Sequence, residues 1–225
     1  MKKILLVFTI LIQMNSLHLF SQNTISGVIN EVNILSTRNM TSTVPYETVS
    51  GSPYYSTSYV KSTVILKDGN YSNLPLRYDI FQDEIEFMKE NKMMWIVKKD
   101  INYIKYGEKE IIAVLNDFEA PGKLSYYFLP VTGDNKLFIK KQSEYLPEVP
   151  PKGYAETIPD RFEPRKDEFY IQLGDAPVQK IRNKKVLETL LAGNNKALDF
   201  MKKEKTKADK AEDLEKLVKF LNGKE

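Results

Sequence analysis

Tyr59-Val-Lys-Ser-Thr-Val-Ile-Leu66, then Lys67-Asp68-Gly69-Asn70, then Tyr71-Ser-Asn-Leu-Pro-Leu-Arg-Tyr-Asp-Ile-Phe-Gln-Asp-Glu-Ile-Glu-Phe87 is the stretch that decides the fold. After a polar break at 89–92 the pattern resumes as Met93-Met-Trp-Ile-Val-Lys98 and Ile101-Asn-Tyr-Ile-Lys-Tyr106. Short β-branched and aromatic runs separated by turn residues predict an antiparallel meander. Leu76, Tyr78 and Ile80 alternate with Arg77, Asp79 and Phe81, and Ile85 and Phe87 alternate with Glu84 and Glu86. Because Ile80 and Ile85 differ in parity, a bulge or a tight turn is expected near Gln82-Asp83. Pro75 cannot donate to a ladder and is expected at an edge or just inside a strand start. Trp95 is expected on the covered face with Met93 and Val97.

Further along, 111–115 reads as a strand buried on both faces. Residues 124–131 and 136–141 flank Thr132-Gly133-Asp134-Asn135, a hairpin signal. Five prolines (Pro147, Pro150, Pro151, Pro159 and Pro164) predict an extended connector over 147–164. One more strand is expected over 169–173. The period then changes. Asn183 is expected to cap a helix over 184–192 that Gly193 stops, and Asn195 to cap a second. A third helix from about Asp209 places Leu214, Leu217, Val218 and Leu221 on one stripe, ending at Asn222-Gly223. The fold class expected is α+β, mainly β: an antiparallel curved meander sheet or partial barrel, followed by a C-terminal helical segment. Its divisions are 1–21, a β-rich domain over 22–175, and helices over 176–225.

The N-terminus reads as a secretory signal peptide: Lys2 and Lys3, an apolar run over 4–12, and a polar exit with cleavage expected after Ser21. The run is shorter than the ~20 residues that span a bilayer, so no membrane span is expected in the mature chain. Residues 25–35 continue with one or two short strands. The 225 residues fit one domain, or one domain plus a small appendage, and 11 Phe, 13 Tyr and one Trp can fill a core.

Composition constrains the chemistry. The chain contains no cysteine, which excludes disulfides, thiolate nucleophiles and Cys-ligated metals. The single histidine, His18, lies inside the expected signal peptide. Its removal excludes Ser-His-Asp and Cys-His hydrolases and most transition-metal enzymes. The mature chain would carry 31 basic against 30 acidic residues, a balance that argues against a nucleic-acid binder. No phosphate-cradling glycine motif and no calcium loop is present. Carboxylates are the remaining acid–base groups. Asp79, Asp83, Glu84 and Glu86 cluster, but the Glu84–Glu86 spacing reads as the solvated face of a half-buried strand. No cofactor and no catalytic residue is expected.

The polar segment 37–58 reads as a surface loop, with an aromatic contact loop as the sharper alternative. Candidate ligand or partner contacts are Tyr54, Tyr55, Arg77, Leu217 and Leu221. The helical stripe is expected to dock on its own domain, with a partner as the alternative.

Gly51-x-Pro53-Tyr54, Gly69 after a strand, the Pro75–Phe87 segment and the Lys-rich tail over 184–222 together resemble a group of uncharacterised exported proteins of Bacteroidota. The resemblance implies a Gram-negative envelope location: periplasm, outer-membrane surface or medium. It carries no functional residue. The expected role is a non-enzymatic module that binds or scaffolds another envelope protein. A carrier holding a lipid or glycan in a curved sheet is the alternative, and a carboxylate hydrolase is the least favoured.

Overall fold

The computed structural model describes residues 37–40, 42, 44–67, 69–89, 92–151, 153 and 156–224. The expected signal peptide and the strands expected over 25–35 lie outside the described residues. The chain runs β1 (Thr37–Asn39), β2 (Val60–Leu66), β3 (Asn70–Asp79), β4 (Glu84–Lys89) and β5 (Lys92–Ile96), then a 3-10 turn (Lys98–Asp100). It continues β6 (Ile101–Tyr106), β7 (Glu110–Asn116), β8 (Leu124–Val131), β9 (Lys136–Lys140), β10 (Ser143–Leu146), β11 (Arg161–Pro164), β12 (Glu168–Gln172) and β13 (Gln179–Ile181). Three helices follow: α1 (Lys184–Leu190), α2 (Asn195–Lys203) and α3 (Ala211–Leu221).

Eleven strands form one open antiparallel sheet in the order β1-β5-β4-β3-β2-β6-β7-β8-β9-β12-β13, and β10 and β11 form a separate ribbon. The sheet is strongly curved. Tyr78 on β3 packs against Tyr126 (5.6 Å) and Phe128 (5.9 Å) on β8, although three strands separate β3 from β8 in the ladder. Irregularities supply the bend. Register shifts occur between Ser62 and Val64, between Ile65 and Leu66, and between Phe128 and Val131. Asn73 sits at φ 61°, which lets Tyr71 and Leu74 both be buried despite their opposite parity.

The concave face is filled from within by Leu76, Tyr78, Ile85, Phe87, Ile104, Ile112 and Tyr126, each essentially without exposure. At the other end α3 packs on β8 and β9, with Leu214, Leu217 and Val218 fully buried. On the opposite face of β8, β9 and β12, Tyr127, Phe138 and Tyr170 form a smaller cluster with Phe118 and Leu115. The helices are built as expected. Asn183 accepts the Val186 amide at 3.0 Å, and Asn194, one residue before the expected cap, accepts from Ala197 at 3.1 Å. Among the described residues no helix is long and apolar enough to cross a membrane.

Four expectations are corrected. Pro75 lies inside β3 and not at its start, on a stretch where pairing with β4, which spans Arg77–Asp79, has ended. The proline-rich connector is not extended throughout: its last four residues form β11 and pair with β10, and Val149 and Ile158 bridge across the intervening loop. Only Ile112 and Ala113 of the apolar run in β7 are fully buried. Glu84 and Glu86 are not solvated, being 8% and 0% exposed. The parity change near Gln82-Asp83 is resolved as a tight turn, with Asp83 at φ 58°.

Candidate functional site

Arg77 and Glu86 face each other across the β3–β4 ladder. Arg77 donates to Glu86 Oε2 from Nε (3.0 Å) and Nη2 (2.8 Å). Its guanidinium lies between two rings, 3.7 Å from the centre of Tyr54 and 4.8 Å from that of Tyr59. The Tyr54 hydroxyl accepts from Arg77 Nη2 (3.0 Å) and donates to Glu86 Oε1 (3.3 Å). Two residues along β3, the fully buried Asp79 accepts Tyr46 Oη–H at 2.7 Å and the amides of Phe81 (2.9 Å) and Gln82 (2.8 Å). Burial lifts the Asp79 carboxyl from 3.8 to about 6, against the pull of the Gln82 amide and the Tyr46 hydroxyl. Burial also raises the Tyr46 and Tyr54 hydroxyls.

The segment over 44–59 is therefore a cover as well as a connection. Pro53 O accepts the amides of Ile80 and Phe81, and the Tyr55 amide donates to Tyr78 O. The local sequence explains this docking. Gly51 has φ 78°, and a Cβ there would come 2.2 Å from Phe162 O, so only glycine fits. The Gly51-x-Pro53-Tyr54 signature thus encodes a backbone approach, a carbonyl acceptor and a stacking ring.

A second polar cluster sits where the curved sheet nearly meets itself. β9 pairs with β8 only from Phe128 onward, leaving the Tyr126 amide free of the ladder. Asp83 takes up that amide (3.4 Å), the Tyr78 hydroxyl (2.7 Å) and the Lys140 ammonium (3.0 Å). Glu84 binds Lys98 and Arg38, each at 2.7 Å. Burial pulls the Lys140 ammonium below its ordinary range, and Asp83 opposes that shift. The four acidic residues of the β3–β4 segment spend their lone pairs on internal partners and act as struts.

Of the candidate contacts, Tyr54 and Arg77 come together, but in this loop-covered cluster on the face opposite Tyr78. Tyr55 points the other way. Its ring lies 4.6 Å from that of Phe128 and 6.2 Å from that of Tyr106, and its hydroxyl donates to Glu110 at 2.5 Å. Tyr55, Ser56, Val60, Tyr106 and Glu110 line a surface hollow of about 530 Å³. Burial pushes the Tyr106 hydroxyl up to about 12. Leu217 is corrected as a partner contact: it has no exposed surface and packs inside the chain. Leu221 is half-buried, and its carbonyl accepts Asn135 Nδ2 at 3.2 Å. Sequence reasoning missed Tyr46, Glu110 and Lys140. The only signal for Tyr46 was its place in an aromatic-rich loop, and Lys140 carried none.

Comparison of the chain with protein-family models, with curated proteins and with solved structures finds no match.

Proposed function

We propose that this chain is an exported, non-enzymatic binding or scaffolding module of a bacterial cell envelope, related to the Bacteroidota proteins its sequence resembles. The observation that carries the reading is the filled concave face. Tyr78, Tyr126 and Phe128 close on one another where a carrier of this shape would hold its cargo. The buried carboxylates nearby are engaged by Arg77, Lys98, Lys140 and tyrosines, as in a structural network. Contact with a partner then falls to the exterior, where the Tyr55 hollow, the exposed Val149 and Ile158 of the ribbon loop and the exposed Met88 of β4 are apolar features.

Photo-crosslinking in intact cells tests this. Probes placed at Ser56, at Ile158 and, as a control, at Lys216 on α3 are expected to capture one envelope protein from Ser56 or Ile158 and not from Lys216. A lipid or glycan retained in equal molar amount by the purified protein would replace this reading with the carrier.

A further inference from the structure

The formal charge of the chain is nearly balanced, but its distribution is not. Between 38 and 175 there are 18 Lys and Arg against 21 Asp and Glu; between 176 and 225 there are 13 against 8. Five of the nine residues from 202 to 210 are lysine. This turn between α2 and α3 lies beside the junction of β13 and α1. Together they form a hollow of about 460 Å³ lined by Arg182, Lys184, Lys205 and Lys207. An adjoining hollow of about 740 Å³ shares Arg182 and adds Lys166 and Lys210.

The turn is held in place from beneath. Thr206 and Ala208 are buried, while Lys205, Lys207 and Lys210 are exposed. The Thr206 amide donates to Met201 O at 3.0 Å, and the Lys207 amide donates to Asp213 Oδ2 at 2.8 Å. Lys205 occupies a left-handed position (φ 52°) just past the end of α2, where glycine is the usual residue. Two carboxylates reach these hollows, Asp209 and Asp167, and Asp167 is already held by Lys141 at 2.8 Å. Among the described residues no ion pair engages Arg182, Lys205, Lys207 or Lys210, whereas Arg77, Lys98, Lys140 and Lys180 on the sheet are all paired. Glu204, Glu212 and Asp213 share a third hollow with Lys205, Lys207 and Lys210, so the excess of positive charge lies in the first two hollows, where Arg182, Lys184 and Lys166 join the turn.

We propose that this basic hollow docks the helical end of the protein on an anionic phospholipid surface, the phosphate headgroups seating among Arg182, Lys205, Lys207 and Lys210. The cations come from two separate segments and stand on long exposed stems. That arrangement suits many anionic groups spread over a plane and not one compact anion, which needs fixed, buried donors. Phe169, the one ring at the hollows, is buried in the sheet, so there is no stacking platform for nucleic-acid bases. The acidic balance of the sheet body orients the molecule with its helices toward the surface. The docking goes beyond the scaffolding role and does not depend on which protein is scaffolded.

Co-sedimentation with vesicles tests the proposal, using the protein as recovered from cells. Vesicles of phosphatidylcholine containing phosphatidylglycerol are expected to bind it, pure phosphatidylcholine vesicles are not, and raised salt is expected to release it. The combined variant R182E/K207E/K210E is expected to lose at least about 100-fold in partitioning, since each basic residue near such a surface contributes about fivefold. Its thermal unfolding should match the parent. K185E/K196E/K216E makes the same charge change elsewhere on the helical segment and is expected to retain most of the binding. Equal loss in the two variants would reduce the effect to net charge and overturn the site. Binding to soluble polyglutamate or inorganic phosphate that depends on the same three residues, without vesicle binding, would overturn the phospholipid surface as the partner.

Discussion

Helix α3 offers Leu214, Leu217 and Val218 to strands β8 and β9, whereas the β3–β4 hairpin offers Arg77, Asp79 and Glu86 to the loop that covers it. Both surfaces are buried, one through apolar area and the other through charge neutralised in place. The apolar surface tolerates shape changes at a graded cost, because each methylene removed costs its transfer energy and a cavity. The charged surface does not, because removing one member strands the other. The two regions should therefore respond differently to the same kind of truncation.

Glu86→Ala has the largest expected effect. It leaves the Arg77 guanidinium between two rings without a counter-charge, at a cost of about 3–5 kcal/mol in urea-unfolding free energy. Leu217→Ala should cost about 3 kcal/mol, and Leu217→Met less than about 1.5 kcal/mol. Equal damage from Leu217→Met and Leu217→Ala would mean that the helix face is not simply apolar packing.

Asp79 makes the difference dependent on pH. Its folded-state carboxyl titrates near 6 and its ordinary value is 3.8, so the folded protein holds the proton more tightly. Its contribution to stability is complete below about 4 and is lost as pH rises through about 6, a swing on the order of 3 kcal/mol. Asp79→Asn keeps an acceptor for the Phe81 and Gln82 amides. The difference in unfolding free energy between variant and parent should therefore grow in the variant's favour between pH 4 and about pH 7. A difference independent of pH would show that Asp79 is not desolvated.

The smallest effect is expected where the helix end is tied to the β8–β9 turn. Asn222 Oδ1 accepts the Asn135 amide and its Nδ2 donates to Asn135 O, each at 2.8 Å. Gly133 stays a glycine beside it because a Cβ would come 2.9 Å from Asn222 Nδ2. Asn222→Ala should cost about 1–2 kcal/mol and speed hydrogen exchange at the Asn135 amide, with little change at Leu217.

The same contrast explains what could be read from the sequence. The face of α3 was legible from the spacing of Leu214, Leu217 and Val218, and α1 from its Asn183 cap and Gly193 stop. The hairpins were legible from turn residues, as at Gly133-Asp134-Asn135. Alternation around Ile85 correctly placed Glu84 and Glu86 on one face, but it says nothing of what covers that face. The cover comes from Tyr46, Tyr54 and Tyr59, residues 27–40 positions away in the chain, and local pattern carries no record of such contacts. β13 is too short, at three residues, to show a period. The β10–β11 pairing is hidden because its two strands flank a proline-rich loop. The basic turn over 202–210 was visible as composition, but its meeting with Arg182 and Lys166 required the fold.

A double-mutant cycle on Arg77 and Glu86 tests the claim that the acidic β3–β4 segment is an internal strut. The variants are Arg77→Met, Glu86→Leu and the two combined, each followed by urea unfolding. The buried pair predicts costly single changes, a combined change well below their sum, and a coupling of about 2 kcal/mol or more. Additive effects with each single change below about 0.5 kcal/mol, the behaviour of a solvated pair, would contradict it.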